Sequence, residues 1–112
     1  MPEPSWPQDF LVPPRKVRDY LLVLAHPDGG AKARFFHAFG YDRARPHQLA
    51  SALIATATPA NFLGLIEVSG GLRYRFEGAI LAPDGRRPEI FTVWQRDPGS
   101  ATARFITARP KR

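Results

Sequence analysis

The chain has 112 residues, 44% of them apolar and 12% aromatic, with a formal charge of +6 and no cysteine. That length holds one core and hides roughly 65% of the surface an unfolded chain exposes. The composition excludes wholesale disorder, and the missing cysteine excludes a disulfide framework and a thiolate nucleophile. No run approaches the ~18 apolar residues of a membrane helix. The start, Met1 to Trp6, lacks the basic and apolar regions of a signal peptide. The expected location is therefore the cytoplasm, unless the chain is cut from a larger secreted protein.

Residues 1–14 contain five prolines and read as an extended arm, leaving residues 15–112 as a single domain. Trp6, Phe10, Leu11 and Val12 are positioned to pin the arm to the body. Val17, Tyr20, Leu21 and Leu24 recur at helical spacing, predicting a short helix from about Arg15 that stops at His26-Pro27-Asp28-Gly29-Gly30. A second helix is expected over Ala31 to Phe39, with Phe35, Phe36 and Phe39 as its apolar stripe and Gly40 just past its end. Pro46 suits the first turn of a third, whose face is Leu49, Leu53, Ile54 and Ala57.

The pattern then changes period. Phe62 to Val68 reads as a strand, Gly70-Gly71 as a hairpin turn, and Leu72 to Glu77 alternates apolar and charged residues. After the turn residues Ala82 to Pro88, a third strand is expected from Glu89 to Arg96 and a fourth from Thr102 to Ala108. Helices followed by strands predict an α+β fold, N-terminal helices packed on one face of a four-stranded antiparallel meander. Arg73 and Arg75 alternate with Tyr74 and Phe76, so they point to the uncovered face. On the third strand Phe91 and Val93 are expected inward and Thr92, Trp94 and Arg96 outward. The fourth strand is ambiguous: either Thr102, Arg104 and Ile106 face out, or Phe105, Thr107 and Arg109 do.

Residues 1–71 hold 7 Lys/Arg against 6 Asp/Glu, whereas residues 72–112 hold 9 against 4. Thirteen of the sixteen basic residues are arginine, whose planar fork suits phosphate. Such a surplus is the footprint of a nucleic acid or an acidic protein, although GC-rich codons alone also favour arginine. No metal site is expected, because His26, His37 and His47 are ten or more residues apart and lack neighbouring carboxylate pairs. There is no phosphate-cradling glycine loop and no serine elbow. A lysine in a helix's first turn opposes the helix dipole, and Lys32 stands there with His26 shortly before it. A bound phosphate would account for both; so would a solvated surface charge and a turn histidine. Trp94 among arginines is either a stacking platform for an unpaired base or a core residue.

Tyr20-Leu21-Leu22 followed by His26-Pro27-Asp28-Gly29-Gly30-Ala31-Lys32-Ala33-Arg34-Phe35-Phe36 resembles the opening motif of an uncharacterised bacterial domain family found among polymorphic toxins and toxin–antitoxin neighbourhoods. Pro83-Asp84-Gly85-Arg86, Thr92-Val93-Trp94 and Phe105 to Pro110 resemble its later motifs, so the likeness spans about residues 17–110. The layout is also similar to the barnase–EndoU–colicin–RelE superfamily of ribonucleases. The resemblance implies a metal-independent toxin ribonuclease without a cofactor, with tRNA as a candidate substrate. It also implies an acidic antitoxin or immunity protein as partner, and delivery into a target-cell cytoplasm if the domain belongs to a secreted effector. Under it, His26, Lys32 and Thr107 are the catalytic candidates, and Thr92 and Trp94 also map onto the motif; with the arginines of the basic strand half, the RNA-binding candidates are Arg73, Arg75, Thr92, Trp94, Arg96, Arg104 and Arg109. The alternative is a non-catalytic basic module that docks on RNA or protein. A third reading, the neutralising half of such a pair, conflicts with the basic charge.

Overall fold

The computed structural model describes residues 6–18, 22 and 30–111. Its elements run β1 (Asp9–Leu11), α1 (Pro14–Lys16), α2 (Gly30–Ala38), α3 (Pro46–Thr56), a short 3-10 turn at Pro59–Asn61, then β2 (Phe62–Val68), β3 (Gly71–Ala79), β4 (Glu89–Arg96) and β5 (Thr102–Pro110). The fold is mixed α+β. The expected helix and turn across residues 19–21 and 23–29, His26 included, lie outside the described residues. Among those described, no helix is long and apolar enough to cross a membrane.

Among the described residues the sheet has five strands, in the order β1-β5-β4-β3-β2, not the four expected. β2 to β5 form the antiparallel meander. The fifth strand comes from the proline arm, where Asp9, Phe10 and Leu11 pair in parallel with Thr102, Ala103 and Arg104. Three residues free of proline, flanked by prolines on both sides, gave too short a signal to stand out as a strand. Their pairing covers the first third of an edge that β5 would otherwise expose.

Local chemistry sets the element ends. α2 stops where Gly40 takes a φ of +98°, a left-handed conformation that glycine adopts without steric cost. Pro46 opens α3, where its missing N–H is harmless. In the β2–β3 hairpin Gly71 has φ +135°, and a Cβ there would collide with the Arg96 carbonyl oxygen.

One face of the sheet carries the core. Phe36 of α2 and Leu49 and Leu53 of α3 are buried with Tyr74, Phe76, Ile90, Trp94 and Phe105 of the sheet. The arm adds aromatic packing, with Phe10 in edge contact with Trp94 at 5.3 Å and Trp6 with Phe62 at 5.5 Å.

The faces of β4 are the reverse of those expected. Tyr74 pairs with Trp94 and Phe76 with Thr92, and directly opposed residues share a face. Since Tyr74 and Phe76 point into the core, Thr92 and Trp94 follow, at 1% and 0% exposure. Phe91 and Val93 point to the open face instead. The buried polar atoms are satisfied by a short chain: Trp94 Nε1 donates to Thr92 Oγ1 at 3.0 Å, Thr92 and Thr56 share a hydrogen bond at 3.0 Å, and Thr56 Oγ1 donates to the Leu53 carbonyl.

β5 resolves its own ambiguity with a bulge. Val93 pairs with Thr107 and Trp94 with Phe105, so Ile106 is the extra residue. Before the bulge Thr102 and Arg104 share the open face; after it Thr107 and Arg109 do. Each expected alternative describes one half of the strand.

Candidate functional site

Past the bulge, Thr107 lies on the open face in the part of β5 that β1 does not cover. Two lysines meet it there. Lys32, in the first turn of α2, donates from Nζ to Thr107 Oγ1 at 2.7 Å. Lys16, at the end of α1, donates from Nζ to the Ile106 carbonyl at 3.2 Å. Two residues further along β5, the Arg109 guanidinium lies over its cross-strand neighbour Phe91 on β4, 4.8 Å from the ring centroid. Ala31, Lys32, Phe91, Arg109 and Pro110 line an open pocket of about 470 Å³. That volume falls within the range of small-ligand sites.

α2 is held in place from its far end. Arg86 Nη2 donates to the Ala38 carbonyl at 2.7 Å, its guanidinium stacks on Phe39 at 4.2 Å, and its partner Asp84 accepts from it at 2.7 Å. The Asp84 amide adds a bond to the Phe39 carbonyl. Pro83-Asp84-Gly85-Arg86 is thus a clamp on the C-terminus of the helix whose other end carries Lys32. The hydrogen bonds from Arg86, side chain first and then backbone, hold the Asp84 carboxyl below the usual carboxylate range. Burial, helped by the nearby Asp84 charge, pushes the Tyr41 hydroxyl up to about 12.

The open face carries the arginine surplus. Arg75 is exposed, and Arg73 is half-buried with Nε donating to Gln95 Oε1 at 3.0 Å. Arg104 pairs with Asp97 at 3.3 Å, and the bonds from Arg104 and then Gln95 lower the Asp97 carboxyl's pKa. At the edge of this face Lys111 bridges Glu77 at 2.8 Å.

The structure therefore brings together Lys32, Thr107 and Arg109, and sets Arg73, Arg75 and Arg104 on the same open face. Trp94 and Thr92 are excluded from any surface by burial, so neither can stack on or bond to RNA. Arg96 shares their side of β4 and sits at the sheet end near Trp6 and Ser100, away from the arginine face. His26 lies outside the described residues, four positions before Gly30 in the sequence. Phe91 and Lys16 also belong to the site, although no sequence signal marks them. Only the β4–β5 register reveals Phe91 as the floor beneath Arg109, and only the bulge gives Lys16 its carbonyl. Among the described residues no three His, Asp or Glu side chains cluster as metal ligands.

Residues 7–112 match the profile of the family described as Domain of unknown function (DUF6883), and the chain belongs to that family. No curated protein matches the sequence. Among solved structures, the chain is similar to one chain of a contact-dependent growth inhibition toxin–immunity protein complex from Klebsiella pneumoniae 342. The TM-score is 0.71 at 18% identity, over 89% of this chain and 98% of that one. At that identity the likeness is one of fold.

Proposed function

We propose that this DUF6883 member is a metal-independent toxin ribonuclease restrained by an acidic immunity or antitoxin protein, and that RNA is cut at the Lys32–Thr107–Arg109 cluster. One observation carries this reading: the 2.7 Å bond from Lys32 Nζ to Thr107 Oγ1, beside a guanidinium stacked on Phe91 at the mouth of an open pocket. Two cations and a hydroxyl converge where the sheet is uncovered. The fold likeness to a chain of a toxin–immunity complex supports the toxin reading.

RNA strands break without a metal when the 2′-oxygen attacks the adjacent phosphorus and the bond to the 5′-oxygen breaks. The products are a 2′,3′-cyclic phosphate and a 5′-hydroxyl. The reaction needs a base for the 2′-proton, an acid for the leaving oxygen, and positive charge for the crowded phosphorane. Lys32 and Arg109 supply the charge. Thr107 accepts from Lys32, which leaves its own hydroxyl proton to donate to a phosphate oxygen. His26 takes the base or acid role, since imidazole with an ordinary pKa near 6.5 holds both forms at neutrality. Arg73, Arg75 and Arg104 guide the backbone along the open face, and the Phe91–Arg109 stack receives a base. Target-cell cytoplasm is the site of action.

Induced expression in bacteria tests the proposal. Wild-type protein arrests growth, His26→Ala abolishes the arrest with an unchanged melting temperature, and Lys32→Ala weakens it. A folded wild type that leaves growth unaffected, while still binding RNA, would replace the toxin with a non-catalytic binding module.

A further inference from the structure

The two edges of the sheet are guarded differently. β5 is covered by β1 over Thr102 to Arg104 and by the lysine contacts at Ile106 and Thr107. Among the described residues, β2, at the other end of the strand order, has no strand beyond it. Phe62, Leu63, Leu65 and Ile66 are 38%, 48%, 37% and 42% exposed. The only charged residue in Phe62–Val68 is Glu67, and the strand has no proline or lysine. Edges left this apolar invite a further strand, which is why folded proteins usually blunt them with charge, proline or a cover.

A second feature gives the edge a sign. A Cβ built on Gly64 would lie 3.2 Å from Arg75 Nη2, so the arginine head lies against β2 at its paired residue, in the space that glycine leaves open. It is an exposed cation lying on the strand, on the open face beside Ile66, while Leu65 pairs with Tyr74 on the opposite face. We infer that the outer edge of β2 receives a strand from an acidic protein, extending the sheet to six, with a carboxylate of that strand meeting Arg75 and apolar residues packing beside Leu65. This names the surface for the inhibitor proposed above and rests on that reading for the partner's role alone. A second copy of the chain fits poorly, since each brings a charge of +6 and its own Arg75 to the contact. The chain's first five residues fit poorly too, because Pro2 and Pro4 lack the N–H groups a ladder needs.

The test uses a dye-labelled, end-blocked peptide of alternating valine and glutamate, titrated against the full-length protein by fluorescence polarisation. Saturable binding is expected. Leu65→Lys and Arg75→Glu should each weaken it about tenfold or more, and Arg75→Glu should favour a valine–lysine peptide instead. The melting temperature of each variant establishes that it is folded. Absence of saturable binding, or binding indifferent to both substitutions, overturns the inference. So does a dimer in sedimentation that Leu65→Lys dissolves, which would give the edge to a second copy. RNA cleavage is measured on the same samples. Peptide binding without cleavage by wild type leaves the docking edge standing and removes the ribonuclease; cleavage without binding does the reverse.

Discussion

Replacing Thr92 with valine separates a core role from an interface role on one β4 residue. Valine keeps the shape of threonine but removes the oxygen that accepts from Trp94 Nε1 at 3.0 Å. Thr56 retains its bond to the Leu53 carbonyl, so the loss falls on the indole N–H. That group is sealed in a site where Trp94 is 0% exposed, and no water can replace the partner. Orphaning a buried donor costs about 1–3 kcal/mol. For a chain of this size each kcal/mol lowers the melting temperature by about 4 °C, giving an expected fall of about 4–12 °C. Thermal unfolding followed by circular dichroism measures it, with RNA affinity determined well below the transition. The affinity should be unchanged. A variant that melts like wild type yet binds RNA more weakly would overturn the core role and return Thr92 to an interface.

Three further outcomes follow from the surface contacts. Arg86→Ala removes the carbonyl cap and the stack on Phe39, and should lower stability by ~1 kcal/mol in urea unfolding while loosening the helix that carries Lys32. Asp84 and Asp97 have depressed carboxyl pKa values, so their stabilisation is complete above about pH 4 and fades as pH falls through the folded values. Tyr41 behaves oppositely: its folded pKa of about 12 lies above the ordinary 10.0, so its contribution is full below pH 10.0 and disappears as pH rises towards 12. Melting temperature against pH reads both limbs, and Asp84→Asn should flatten the acid one. RNA binding should weaken steeply with salt at about 0.7 in log–log slope per phosphate contact, and replacing Arg73 and Arg75 together should flatten that slope.

Much of the architecture was legible because helix and strand periods leave different marks. Phe35, Phe36 and Phe39 marked α2, Pro46 opened α3, and the alternation from Leu72 to Glu77 oriented β3. β4 was not legible, because Ile90-Phe91-Thr92-Val93-Trp94 is suited to burial on either parity. Its facing is decided by a partner strand through register, which is non-local. The bulge at Ile106 has the same character, since no turn residue announces it. β1 was hidden inside a proline-rich segment whose three pairing residues are too few to show a period. At the site, Lys32 stood out because a first-turn lysine opposes the helix dipole, and the structure gives that lysine a hydroxyl partner. Phe91 and Lys16 join the site only through tertiary placement.

The most direct test is incubation of purified protein with a short RNA in excess chelator, with the termini of the products identified by mass spectrometry. The expected result is fragments ending in 2′,3′-cyclic phosphate, no cleavage when the sugar at the cut site is 2′-deoxy, and a rate reduced by ~10²-fold or more in folded Lys32→Ala. Cleavage of the deoxy substrate, activity that requires a divalent ion, or a folded Lys32→Ala protein that cuts as fast as wild type would contradict it.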